Sequence, residues 1–187
     1  MRTKIFLSLI FVLLLFINAF AEEPRPFGLI VGKTTKDEAL SIMKKEGGRV
    51  VNSGYRIIKG DISNPNIEAF DFKGLSIENL SMARLWFFQG TLFQIVYYFP
   101  LSMNKDEFYV LYEQLKSKYG KPSKYVKPWL ADGLAVWKFK DIEIKIIAPW
   151  VSSEVYVTYT HLPLSKKADQ SDREVMQKET SKPKRGF

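Results

Sequence analysis

The residue types that most often carry catalysis are nearly missing from this 187-residue chain: it holds one histidine, His161, and no cysteine. A lone imidazole as general base needs a hydroxyl or carboxylate partner, and no motif places one beside it. Without cysteine there is no thiolate nucleophile, no thiolate metal ligand and no disulfide. The serines lack a G-x-S-x-G setting. Gly32-Lys33-Thr34 carries the last residues of a phosphate loop, but Phe27 stands where the loop's first glycine belongs. The acid pairs Asp37/Glu38 and Asp106/Glu107 fall in the first turns of expected helices, where they complement the helix dipole. The expectation is therefore no enzyme, no cofactor and no metal.

Recognition chemistry is better represented. Alternation along residues 81–88 sends Leu85 and Phe87 to one face and Arg84, Trp86 and Phe88 to the other. Across the following turn, Phe93, Ile95, Tyr97 and Phe99 are expected on one face and Leu92, Gln94, Val96 and Tyr98 on its opposite. A sheet covered by helices on one side is normally polar on the other. Here both faces carry large apolar groups. Either both are covered within the domain, or Arg84, Trp86, Phe88 and Tyr98 form an exposed aromatic face, which Trp137 and Phe139 could extend. Trp129, in Lys127-Pro128-Trp129-Leu130, is either a plug over the end of the core or an exposed anchor. Pro149-Trp150 has the same two readings. The candidate partner-binding residues are thus Arg84, Trp86, Phe88, Tyr98, Trp129 and Trp137.

These side chains need positioning elements. Phe27 to Val31 reads as a short first strand. Thr35-Lys36-Asp37-Glu38 is a capping box, and Ala39, Leu40, Ile42 and Met43 then share a helical face up to the Gly47-Gly48 stop. Strands are expected over 49–59 and 66–73, separated by Gly60-Asp61 and Asn64-Pro65 turn signals. Further strands, 81–88 and 91–99, meet across Gln89-Gly90 as a tight hairpin. Asn104-Lys105-Asp106-Glu107 is a second capping box. Phe108, Leu111, Leu115 and Tyr119 stripe the helix that follows, and Gly120 and Pro122 close it. Strands at 123–127, 134–140, 142–148 and 154–161 complete the pattern.

A capped helix followed by antiparallel strands thus occurs twice, over about 27–100 and 101–162. Residues 83–92 resemble residues 134–143, each with a tryptophan and a phenylalanine two positions apart before a turn. The fold class expected is α+β: one domain over 22–162, built of two tandem helix-plus-antiparallel-strand units with helices on one face of the sheet.

The ends carry address and charge. Arg2 and Lys4, the apolar run 5–17 and Ala19-Phe20-Ala21 have the form of an export signal cleaved after Ala21. The run is shorter than the roughly 20 residues of a membrane span. Residues 163–187 are lysine-rich and read as a disordered basic tail. The net charge is +8. In an exported protein that charge suits an anionic lipid surface or an acidic protein face, with no nucleic acid.

Gly32-Lys33-Thr34-Thr35-Lys36-Asp37-Glu38-Ala39 resembles the helix entry of small exported α/β modules. These include the small lipoprotein of the outer-membrane β-barrel assembly machine and the repeats of β-lactamase-inhibitor-like proteins. Trp86-Phe87-Phe88-Gln89-Gly90-Thr91-Leu92 is similar to their aromatic hairpin, and Leu115-Lys116-Ser117-Lys118-Tyr119-Gly120-Lys121-Pro122 to their helix end. The resemblance implies helices on one face of an antiparallel sheet, with protein binding as the usual role. Those assembly proteins are lipid-anchored through a cysteine that this chain lacks. The leading expectation is a soluble periplasmic or secreted, non-catalytic module that binds an envelope protein through its aromatic sheet face. A carrier of an apolar or lipid-like ligand between helix and sheet is the alternative, and an enzyme of unknown type the third.

Overall fold

A computed structural model describes residues 23–181, so the export signal and the last six residues of the tail lie outside the described residues. Its first helix begins as the capping box requires. The Thr35 hydroxyl accepts from the Glu38 amide at 3.4 Å, and Glu38 Oε2 accepts from the Thr35 amide at 2.9 Å. Helix α1 spans Lys36–Lys45 and buries Ala39 and Met43. The second box is displaced. Lys105 occupies the cap position without capping the helix by its side chain; Ser102 Oγ accepts from the Asp106 amide, and Glu107 accepts from the Ser102 amide at 2.8 Å. Helix α2 spans Asp106–Tyr119. Residues 27–31, expected as a strand, instead enter through a 3-10 turn at Pro26–Gly28, with Leu29 and Val31 buried.

Eight antiparallel strands follow the sequence pattern closely: β1 Arg49–Lys59, β2 Ile62–Lys73, β3 Met82–Phe88, β4 Thr91–Pro100, β5 Lys124–Val126, β6 Gly133–Lys138, β7 Ile142–Ala148 and β8 Glu154–His161. They form one sheet in the order β1-β2-β3-β4-β8-β7-β6-β5. The Asn64-Pro65 signal does not end a strand. It makes a bulge within β2, where Asn64 Oδ1 accepts from the Asn66 amide at 2.9 Å and the register against β1 jumps. Gln89 and Gly90 both take positive φ, as a two-residue hairpin requires.

The architecture is therefore α+β with a single antiparallel sheet. The sequence match between 83–92 and 134–143 is out of phase with the topology, because it lays β3 on β6. Counting outward from the β4–β8 junction, β3 occupies the place of β7. The match also joins opposite faces. Trp137 lies with the main core, whereas Trp86 packs on the other side. The alternation common to all strands accounts for it.

One core lies between the sheet and the pair α1 and α2, with Phe72, Leu85, Phe87, Ile95, Ile144 and Ile146 all essentially inaccessible. The opposite face carries a correction. Residues expected to form a disordered tail fold into helix α3, Leu162–Ser181. Leu164, Ala168 and Ser171 are spaced i, i+4, i+7, so they share one side of that helix. Leu164 and Ala168 cover Ile67, Phe93, Trp86 and Phe88. Buried Asn64 donates to Ser171 Oγ at 3.0 Å and to Asp172 at 2.9 Å, and Arg56 pairs with Asp172 at 3.2 Å. The stripe is too short and too weakly apolar to stand out from its charged neighbours. Helices thus cover both faces of the sheet, α3 only at one corner.

Ala168 is fully buried. Ala168→Glu is expected to lower the unfolding free energy by about 2 kcal/mol or more and to open α3 to trypsin at Lys166, Lys167 and Arg173. Lys167→Glu, at an exposed position, leaves both unchanged. Urea denaturation with limited proteolysis reads the difference.

Candidate functional site

Arg84, Trp86, Phe88 and Tyr98 were expected on one face, with Trp137 extending it and Trp129 in a separate loop; the structure sorts the six into three places. Trp137 is buried on the helix face. Its indole Nε1 donates to the Gly120 carbonyl at 2.8 Å, tying the end of α2 to β6. Phe139 turns the same way and meets Tyr119 edge-on at 5.6 Å. Neither extends a binding surface, because their strand register sends them inward.

Arg84, Trp86, Phe88 and Tyr98 do share the other face, half-buried. Phe88 and Trp86 lie against the cluster that α3 completes. Arg84 forms a fork with Asp71, Nε to Oδ1 at 2.6 Å and Nη2 to Oδ2 at 2.8 Å. Its guanidinium lies 5.6 Å from the Trp86 ring centre and 5.9 Å from that of Tyr98, and Arg56 lies 5.5 Å from Trp86. The Arg84 fork holds the Asp71 carboxyl below the usual carboxylate range against the opposing effect of burial. Arg84 is thus fixed by its own chain and braces the aromatic rings. Phe93 joins them against expectation. A bulge between Trp86 and Phe87 shifts the β3–β4 register, so Leu92 enters the main core and Phe93 the α3 side.

Beyond the corner that α3 covers, no helix among the described residues lies on this face, and register lines up one row across it. Met82 pairs with Tyr98, Tyr98 with Tyr156, Tyr156 with Ile147, Ile147 with Leu134 and Leu134 with Val126. All six are half-exposed. Tyr98 and Tyr156 meet edge-on at 5.2 Å. With strands about 4.8 Å apart, the row makes a stripe about 24 Å long. Tyr156, Ile147 and Leu134 went unread because the row exists only once β4 pairs with β8.

Trp129 occupies the third place. The loops at residues 101–105, 127–132 and 149–153 converge at one end of the sheet around a groove of about 680 Å³. The plug there is Pro128, which is buried; a side chain at Gly133 would meet it at 2.6 Å. Trp129 and Trp150 are exposed, as are Met103, Leu130 and Val151.

His161 has a structural task. Its Nδ1 accepts from the Leu164 amide at 3.3 Å in the first turn of α3, and its ring lies against Gly32, whose φ is +92°. Burial lowers its pKa, with Asp141 opposing. Between α2 and the sheet run two adjoining grooves of about 240 and 390 Å³, floored by Tyr97 and Phe99 and walled by Leu111 and Ile77. Among the described residues, no group of three histidine, aspartate or glutamate side chains could hold a metal ion, and no helix is long and apolar enough to cross a membrane.

The family described as the TP0088 domain matches residues 25–171. The chain belongs to this family. The match runs from the entry turn through both halves of the sheet and ends at Ser171, the α3 residue that Asn64 grips. No curated protein and no solved structure matches the chain.

Two measurements check this placement. Trp137→Ala is expected to cost about 3–5 kcal/mol, and Trp129→Ala no more than about 0.5 kcal/mol, by chemical denaturation. Asp71 titrates lower folded than unfolded, so its pairing stabilises fully above the unfolded value of about 3.9. That stabilisation is lost as pH falls through the folded value. The stability difference between wild type and Asp71→Asn is therefore expected to be large at pH 7 and to shrink below about pH 4.

Proposed function

We propose that the protein is a non-catalytic binding module, exported as its N-terminal pattern suggests, that docks an envelope protein on the helix-free part of its sheet. The observation that supports this is the row Met82, Tyr98, Tyr156, Ile147, Leu134 and Val126, held in register across six strands and half-exposed throughout. Tyrosines with fixed rings make productive contacts because little rotamer freedom is lost on binding. Arg84, fixed on Asp71, borders the row, and so does Lys145, paired with Glu143. A partner with an apolar ridge and mixed charge at its edges fits this face.

The aromatic-face reading therefore moves. Trp86 and Phe88 brace the site beneath α3, and Tyr98 and Tyr156 present it. A carrier role is favoured less, because the spaces between α2 and the sheet are grooves rather than a closed chamber. Duplication of a helix-plus-four-strand unit is supported by element order alone: α1 precedes β1–β4 and α2 precedes β5–β8.

The test is a crosslinking pull-down from an envelope fraction with the chain from residue 22 on. Tyr98→Ala/Tyr156→Ala is expected to lose the specific partner at least tenfold, about 1.4 kcal/mol, while Trp129→Ser retains it. Equal recovery by the tyrosine variant and wild type sinks the proposal.

A further inference from the structure

The loop end holds the four most exposed large apolar side chains among the described residues, Met103, Val151, Trp129 and Leu130, with Trp150 beside them. Met103, Trp129, Leu130, Trp150 and Val151 are between 55 and 97 % exposed. They come from three loops separated in sequence, yet all stand at one end of the sheet. Pairing fixes this: Pro100 lies opposite Glu154, and Gly133 opposite Ala148.

The loops are tied together beneath their tips. The Leu101 amide donates to the Ser153 carbonyl at 2.8 Å, and the Trp150 amide to Asp132 Oδ1 at 2.7 Å. Lys105 Nζ reaches the Trp150 carbonyl at 3.3 Å and that of Pro149 at 3.5 Å. These ties fix the three loops to one another beneath the exposed tips.

Charge accompanies them. Lys121, Lys124 and Lys127 are exposed on the strand and loop leading into Trp129. Four acids border the tips, and three of them are tied to backbone or ring groups: Glu107 accepts from the Ser102 amide, Asp132 from the Trp150 amide and Glu154 from the Tyr156 hydroxyl, while Asp106 opens α2.

We propose that this end docks on a bilayer surface containing anionic lipid, with Trp129, Leu130, Trp150, Val151 and Met103 entering the headgroup–acyl boundary. Indole has an apolar body and a polar N–H, which suits that boundary. Lysine stems lie along apolar surface while their ammonium groups reach lipid phosphates. Separate projecting tips fit a deformable layer. A protein hot spot would more often centre on one packed pocket. This surface is distinct from the sheet row proposed for a protein partner, and the two stand or fall separately.

The chain from residue 22 on keeps the whole described fold and omits the apolar run 5–17, which could bind lipid by itself. It is sedimented with vesicles of phosphatidylcholine alone and with vesicles containing phosphatidylglycerol. Binding is expected mainly to the second, with tryptophan emission shifted to the blue and quenched by lipids brominated on the acyl chain. Trp129→Ser/Trp150→Ser is expected to reduce binding at least about tenfold, and Lys124→Glu/Lys127→Glu about tenfold on anionic vesicles only. Tyr98→Ala/Tyr156→Ala leaves it unchanged. Thermal midpoints equal to wild type show that the loop variants fold. Absence of binding to both vesicle types, or binding that the loop substitutions do not alter, overturns the proposal and leaves the loop end to a protein partner.

Discussion

The pairing of β4 with β8 is the interaction on which the rest of the molecule depends. In chain order α1 precedes β1–β4 and α2 precedes β5–β8, and without this pairing β4 and β8 would each be left as an unpaired, sticky edge. Joining Gln94–Pro100 to Glu154–Thr160 removes one edge from each half. Alternate pairs then fall on alternate faces. Ile95 with Tyr159, Tyr97 with Val157 and Phe99 with Val155 close one continuous core under α1 and α2. Val96 with Thr158 and Tyr98 with Tyr156 continue the opposite face from one half into the other.

The same junction sets the two surfaces. A row of half-exposed apolar side chains can run across six strands only if the halves share one sheet in this register. The three loops meet at one end for the same reason, since β4 finishes, β8 begins, and β6 and β7 join the neighbouring loops there. Helix α3 closes the opposite corner, held by Asn64, Asn66 and Arg56. A molecule held at a bilayer by its loop end would keep its sheet row beside that surface, open to a partner.

Much of the fold was legible in the chain, and the misreadings have specific causes. β7 and β8 alternate strongly and were read with the observed bounds, while β1, exposed along nearly its whole length, was bounded by the Gly47-Gly48 and Gly60-Asp61 signals. The Thr35 box was read correctly because both partners lie within four residues. The second box shifted because the Glu107 carboxylate takes the Ser102 amide and Ser102 Oγ takes the Asp106 amide. Phe93 and Leu92 changed faces at a bulge, which alternation cannot reveal. Helix α3 was hidden because its buried stripe is one leucine, one alanine and one serine, a helix whose stability comes from docking rather than from its own pattern. Of the candidate site residues, Trp129 is exposed and Tyr98 half-exposed, Arg84 lies over the Trp86 and Tyr98 rings, Trp86 and Phe88 pack under α3, and Trp137 is core.

By itself the sequence determined the identity of most strands, the start of α1, the facing of Arg84 and Trp86, and the poverty of catalytic side chains. Those properties depend on neighbours within a few positions and on the twofold period of a strand. The tertiary structure decided which strands pair, where α3 lies, and which of four tryptophans meet solvent. Those outcomes join residues far apart in the chain, such as Tyr98 with Tyr156 and Asn64 with Ser171. Their cost and gain are settled by the register and burial of the whole sheet rather than by any local pattern.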